Sequence, residues 1–280
     1  MKKKFLAVLL AVSMLAGTGL AVPGNLTVQA EENETVESKA EEKGAVDAVG
    51  DDYYDDDDDD DEPFKPEYRE LADGTLEVTG NYTISGKLEK IVIPAEVDGK
   101  KVTRIGDDAF ENSFDHFDDV KEIILPESIT AIGSYAFKNC SSLRGVVLPD
   151  SLETIGDKAF RNCSGLSEIN LPESITTIES RAFFGCSNLK EVKIPASVTY
   201  IYGNIFAGCS SLDEVQVDET NERYTSEDGV LYNKAKTKLL CYPQGKKGGN
   251  GSFTVSQDVN SIDDDAFYSC TGLSEILVAE

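Results

Sequence analysis

A phrase of 23 residues returns along this chain and constrains its fold more than any other feature. Leu143-x-x-Val146-x-Leu148-Pro149-x-Ser151-Leu152-x-x-Ile155-Gly156-x-x-Ala159-Phe160-x-x-Cys163 is repeated from Leu166 to Cys186 and from Leu189 to Cys209. A fixed period of this length means a stack of like supersecondary units, not one closed globule. Each unit offers about seven inward apolar groups worth roughly 1.5–3 kcal/mol apiece. Ordering its backbone costs about 1–2 kcal/mol per residue. No unit folds alone, so neighbours must supply the missing burial. The predicted fold class is a strand-rich, α/β-type repeat solenoid.

Within a unit, Val146-Val147-Leu148 reads as a short strand with Val146 and Leu148 inward, and Pro149 ends it where a missing donor is tolerated. Ser151 to Ile155 reads as a second extended piece with Leu152 and Ile155 inward. Gly156 then permits a bend, and Ala159-Phe160-x-x-Cys163 has the spacing of a short helical turn. Phe110, Phe137, Phe160, Phe183, Phe206 and Phe267 hold one place in the phrase and predict a buried aromatic column. Cys140, Cys163, Cys186, Cys209 and Cys270 hold another. Equivalent side chains in stacked coils point the same way, and parallel Cβ vectors seldom meet disulfide geometry, so a buried ladder of free thiols is expected. Cys241 stands outside that ladder.

Two units are longer than the rest. One carries Val97-Asp98-Gly99-Lys100-Lys101-Val102 and the stretch Glu111 to Asp119. In the other, Asp228 to Asn233 and Lys238 to Pro243 flank Lys234-Ala235-Lys236 and predict a two-stranded hairpin, inserted within 218–252.

The first thirty residues stand apart. Lys2, Lys3 and Lys4 precede an apolar run from Phe5 to Val22, and Val28-Gln29-Ala30 offers a small-residue cleavage site, so residues 1–30 read as an export signal. Residues 31–62 hold seventeen acids against Lys39 and Lys43, ending in seven aspartates from Asp55 to Asp61. Such a segment repels itself and has little apolar surface to bury, which predicts a disordered acidic tail serving as a solvated spacer, or as a loose binder of cations or basic partners. Residues 63–280 form the solenoid, led in by an atypical segment over 63–104, with a net charge of −14 of the chain's −26. That sign disfavours nucleic acid as a partner.

The repeated phrase resembles the BspA-like class of leucine-rich repeat, and the resemblance spans nearly all of Leu71 to Glu280. The lead-in Leu71-Ala72-Asp73-Gly74-Thr75-Leu76-Glu77-Val78-Thr79-Gly80 and the Gly229-Val230-Leu231-Tyr232-Asn233 insertion are similar to that family's own. It implies a right-handed arc with a parallel concave sheet, short irregular or helical convex turns and one inserted hairpin. It further implies a secreted or surface-exposed bacterial protein that binds host or microbial partners, without catalytic residues. Glu179, Tyr202 and Asp263 depart from the phrase where a bend glycine often stands.

In such an arc, outward residues of the stacked strands form the candidate binding face. One column reads Ile124, Val147, Asn170, Lys193, Gln216, and the adjoining one Glu122, Gly145, Glu168, Glu191, Glu214. Like charges on consecutive strands destabilise unless a partner or cation neutralises them. The column therefore suits a basic protein or glycan partner, unless Lys190 and Lys193 screen it. Ile124 and Val147 add an apolar contact. Two further readings stand beside adhesion: a scaffold or multimerisation module, and, least supported, a hydrolase. His116 is the single histidine, no Gly-x-Ser-x-Gly elbow occurs, and no Cys-x-x-Cys pair offers a zinc site, so neither catalytic residues nor a metal or cofactor is expected. The sequence ends on a strand without a polar closing unit, which suits self-association through that uncapped C-terminal end.

Overall fold

The computed structural model describes residues 64–84, 88–111, 120–246 and 251–279; the expected export signal, the expected disordered acidic tail and His116 lie outside them. Within them every regular element is a strand and none is a helix. The result is a strand-rich solenoid of about eight turns.

The two extended pieces of each unit stack into separate ladders. The second piece forms the longer one, with Leu76–Ile84, Lys100–Ile105, Ala131–Ile132, Thr154–Ile155, Thr177–Ile178 and Tyr200–Ile201 side by side and parallel. Phe64–Glu70 closes its N-terminal edge by antiparallel pairing with Leu76–Ile84. The register aligns Ile105, Ile132, Ile155, Ile178 and Ile201, all buried, because side chains alternate across a strand. The serine of the phrase is a strut between coils. Ser128 Oγ donates to the Val102 carbonyl at 2.6 Å, Ser151 to Ile129 at 2.7 Å and Ser174 to Leu152 at 2.6 Å.

The first piece departs from expectation. The sequence predicts one continuous concave sheet, but the structure divides it into three parallel parts: Lys90–Val92 with Glu122–Ile124 and Gly145–Val147, then Glu191–Ile194 with Glu214–Val217, then Ser252–Val255 with Glu275–Val278. At the first break the unit reads Ser167-Glu168-Ile169-Asn170, one β-branched residue among three of low strand preference. At the second break the insertion intervenes.

The turn side also differs from its predicted helical character. An α-helix would spend its N–H groups internally. Here Tyr135, Phe137 and Asn139 donate instead to the Asp157, Ala159 and Arg161 carbonyls of the next coil, at 2.9, 2.7 and 2.7 Å. Left-handed residues make this possible: Tyr135 (φ 58°) and Asn139 (φ 65°), matched by Lys158 (φ 55°) and Asn162 (φ 61°) one coil on. Gly156 is not among the left-handed residues, so its smallness answers to close approach. A Cβ there would sit 2.7 Å from the Gly133 carbonyl carbon and 2.8 Å from the Ser134 nitrogen.

Inside, the aromatic column forms as predicted over five coils. Phe110, Phe137, Phe160, Phe183 and Phe206 are buried, with successive ring centroids 5.2, 5.1, 5.5 and 5.7 Å apart. Phe267 in the last described coil is only partly covered. The thiols sit on this column: Cys140, Cys163, Cys186 and Cys209 donate to the carbonyls of Phe110, Phe137, Phe160 and Phe183 at 3.0–3.3 Å.

The insertion holds more than the expected hairpin. Tyr224–Glu227, Val230–Asn233 and Lys238–Cys241 form a three-stranded antiparallel meander, and Lys238–Cys241 pairs in parallel with Ser261–Ile262. Both faces of the meander are buried. Leu231, Leu240 and Cys241 join the main core, whereas Val230, Tyr232, Leu239 and Tyr242 pack with Phe253, Phe267 and Cys270 in a second one. Tyr242 takes the column place of the interrupted unit. It stacks on Phe267 at 5.6 Å, donates its N–H to Ala266 and accepts the Cys270 thiol at 3.7 Å.

All six cysteines are free and buried. Burial pushes Cys140 and Cys270 up to about 12 and holds Cys163, Cys209 and Cys241 well above the usual thiol range. The thiolate is the reactive form. A chromogenic disulfide reagent at neutral pH is therefore expected to titrate no thiol rapidly in the native chain and all six in guanidinium. A fast native phase would mean that a coil is open.

Candidate functional site

The predicted face takes shape on the first ladder, and its break divides it. On the N-terminal side, Lys90, Glu122 and Gly145 lie opposite one another, as do Val92, Ile124 and Val147. On the far side, Glu191 faces Glu214 and Lys193 faces Gln216. Glu168 and Asn170 stand between the two groups, exposed and outside any strand. The apolar part is genuine surface, with Val92 58% and Val147 49% exposed and Ile124 half-buried between them.

Of the two cations expected to screen the acidic column, Lys193 is employed otherwise, and Lys190 pairs with no carboxylate among the described residues. Lys193 Nζ reaches Asp218 at 3.0 Å instead of the column. Asp218 is held down to about 2, first by the Thr220 hydroxyl at 2.7 Å and the Thr220 N–H at 3.0 Å, then by Lys193. Glu214 accepts from the Gln216 amide at 2.6 Å, and Glu122 meets Lys90 at 3.3 Å. Among the described residues no cation pairs with Glu168 or Glu191.

At the break the surface opens into a cleft of about 480 Å³. Gly145 and Val147 form one wall and Glu168 and Asn170 the other, with Lys121 and Arg144 at one end. Ser167 N–H reaches the Arg144 carbonyl at 3.4 Å. Beyond it, among the described residues, no backbone hydrogen bond joins 145–148 to 168–171, nor 168–171 to 191–194. A Cβ on Gly145 would meet nothing within 4 Å, so the glycine leaves a gap between Glu122 and Glu168 in the column. Arg144 is exposed and pairs with no carboxylate among the described residues.

Arg144 and the cleft itself escape a reading based on the phrase, which concerns core positions. The lone glycine in the acidic column is the one signal that could have marked the place. Tyr200 and Tyr202 are also missed. They lie exposed on the second ladder with ring centroids 5.7 Å apart, Tyr202 standing where the phrase has its glycine. No group of three or more metal-ligating side chains occurs among the described residues.

Comparison with known proteins agrees with the architecture. A leucine-rich repeat protein from Eubacterium ventriosum is similar to this chain at 24% identity and a TM-score of 0.58, over 77% of this chain and 58% of that one. The pneumococcal vaccine antigen PcpA is similar at 24% identity and 0.59, over 78% and 64%. The T. pallidum leucine-rich repeat protein is similar at 25% identity and 0.52, over 76% and 78%. The chain thus spans less than two thirds of the length of the first two. None of the curated proteins matches it. Six copies of the BspA type leucine rich repeat region match residues 103–228 and 249–280, more than half of the sequence, and the chain therefore belongs to the BspA type leucine-rich repeat family.

Proposed function

We propose that this chain is an exported, non-catalytic binding protein of the bacterial surface, whose first-ladder face lies on the concave side of a right-handed arc and recognises a protein or glycan partner. The observation that carries this reading is the acidic row. Among the described residues Glu168 and Glu191 stand on the surface with no paired cation, while Lys193 is committed to Asp218. Uncompensated like charges beside exposed Val147 cost stability in the free protein and are relieved by a basic partner. The apolar run after Lys2 to Lys4 supports export, and the acidic tail supports a spacer between the face and the producing cell.

The test is capture of extracellular-matrix proteins and mucosal glycans by the mature chain and by a Glu168→Gln, Glu191→Gln, Glu214→Gln variant. Capture is expected to fall about tenfold in the variant, as the loss of even one charge-assisted contact allows. Equal capture would move the reading to a scaffold.

A second reading, self-association, rests on the last described coil, where Leu277 and Val278 are 43% and 67% exposed. Against it, every charged residue from 251 to 279 is acidic, so pairing two such ends brings like charges together. Light scattering of the mature chain decides between a monomer and this dimer.

A further inference from the structure

We infer that the cleft at Gly145 is a docking slot for an extended peptide segment of a partner protein, with one lysine or arginine of that segment seated between Glu122 and Glu168. This rests on the binding reading above and narrows it to a peptide. Three independent features converge there.

The first is the opened ladder. Main-chain polar groups need partners, and along 145–148 and 168–171 they find none in each other. The two coils stay one strand spacing apart, with Phe160 and Phe183 at 5.5 Å, so a peptide does not enter between them; lying extended across the mouth of the cleft, it offers its own N–H and C=O groups to those left unpaired there. The second is the gap. Successive coils stack about one strand spacing apart, with Phe137, Phe160 and Phe183 at 5.1 and 5.5 Å, so the backbones at Glu122 and Glu168 stand roughly 10 Å apart with Gly145 between them. That span accepts one ammonium or guanidinium group in contact with both carboxylates. Glu122 already shares Lys90, whereas Glu168 has no cation among the described residues, so the incoming charge is drawn chiefly to Glu168. The third is the remaining lining. Val147 offers apolar contact to a neighbouring side chain of the peptide, and Arg144 offers a fork of donors to a backbone carbonyl or carboxylate.

The same lining disfavours a sugar. No aromatic residue lines the cleft, and an aromatic face is what the apolar side of a pyranose stacks on; the exposed rings of Tyr200 and Tyr202 belong to the other ladder. Gly145 is thus a specificity-determining position, and its side-chain-free surface is the seat of the basic residue.

The experiment pans the mature chain against a random-peptide library displayed on phage and, in parallel, against a glycan array. Gly145→Gln and Glu168→Gln are the variants. Gly145 is not among the left-handed residues and its Cβ position is open, so the first variant keeps the fold, as an unchanged melting curve will confirm. Enriched peptides are expected to share one Lys or Arg beside an apolar residue, and a synthetic copy is expected to bind each variant about tenfold more weakly than the parent. Enriched peptides without a basic residue, or affinity unmoved by Gly145→Gln, overturn the slot but leave a peptide-binding face. Glycan capture lost in Gly145→Gln assigns the cleft to sugar, overturning the peptide while keeping the binding reading. Binding of neither class overturns both.

Discussion

Replacement of Asn221 by alanine is expected to destabilise the protein by about 4 kcal/mol, at roughly one for each buried hydrogen bond lost. Asn221 is fully buried where the chain leaves the first ladder for the meander. Its amide nitrogen donates to the Pro195 carbonyl at 2.7 Å and the Val198 carbonyl at 3.0 Å, and its oxygen accepts the N–H groups of Arg223 and Tyr224 at 2.8 Å each. One side chain thus joins the coil below to the first strand of the insertion. Removing it breaks four hydrogen bonds to main-chain groups together, with only the Pro195 carbonyl keeping another donor, the Val198 N–H at 3.4 Å, and such networks lose more than a single contact does. Chemical denaturation of the parent and of Asn221→Ala measures the difference; a loss below about 1 kcal/mol would mean that water replaces the amide without cost. Asn221→Asp separates polarity from shape. The introduced carboxylate would face the same two carbonyls, so its folded pKa lies above the unfolded value of ~3.9. Stability of that variant is therefore greatest below the unfolded value and is lost as pH rises through the folded one.

Asn221 also shows what a periodic sequence conveys and what it omits. The phrase names the residues that repeat, and those are the ones whose surroundings repeat: Phe137, Phe160 and Phe183 stack, Ile132, Ile155 and Ile178 align, and Cys163 and Cys186 point inward together. Their placement was legible because burial follows from period alone. Asn221 and Tyr242 occur once. Tyr242 completes the aromatic column in a unit whose phase the insertion has shifted, so no ruler laid along the phrase reaches it. The break in the first ladder was hidden for the opposite reason. Leu166, Ile169 and Leu171 keep the phrase intact, while hydrogen bonding between coils depends on the outward residues Glu168 and Asn170, which the phrase leaves free. The outward columns were correctly placed in register within each part of the sheet. Their continuity across it was not, and the cleft sits at that discontinuity.

The second large effect concerns how stability is shared along the stack. Phe160→Ala is expected to cost about 3–5 kcal/mol, the usual range for emptying a buried aromatic site. Phe160 lies between Phe137 at 5.1 Å and Phe183 at 5.5 Å, and its carbonyl accepts the Cys186 thiol at 3.1 Å. The cavity therefore opens at the joint of three coils, and both nearest-neighbour interfaces on which a solenoid depends are weakened together. Phe267→Ala, the same substitution in the last described coil, is expected to cost about half as much or less. Its ring touches Tyr242 at 5.6 Å and Phe253 at 5.9 Å, but no described coil covers its other side, and it keeps part of its surface in water in the folded state. The two variants differ in position and not in chemistry, so the ratio of their losses in guanidinium denaturation reads the coupling between coils directly. Equal losses would mean that the core behaves as one globule in which every ring counts alike. A central loss at least twice the terminal one is what a one-dimensional stack requires, since a ring inside it is held from two sides and a ring at its end from one.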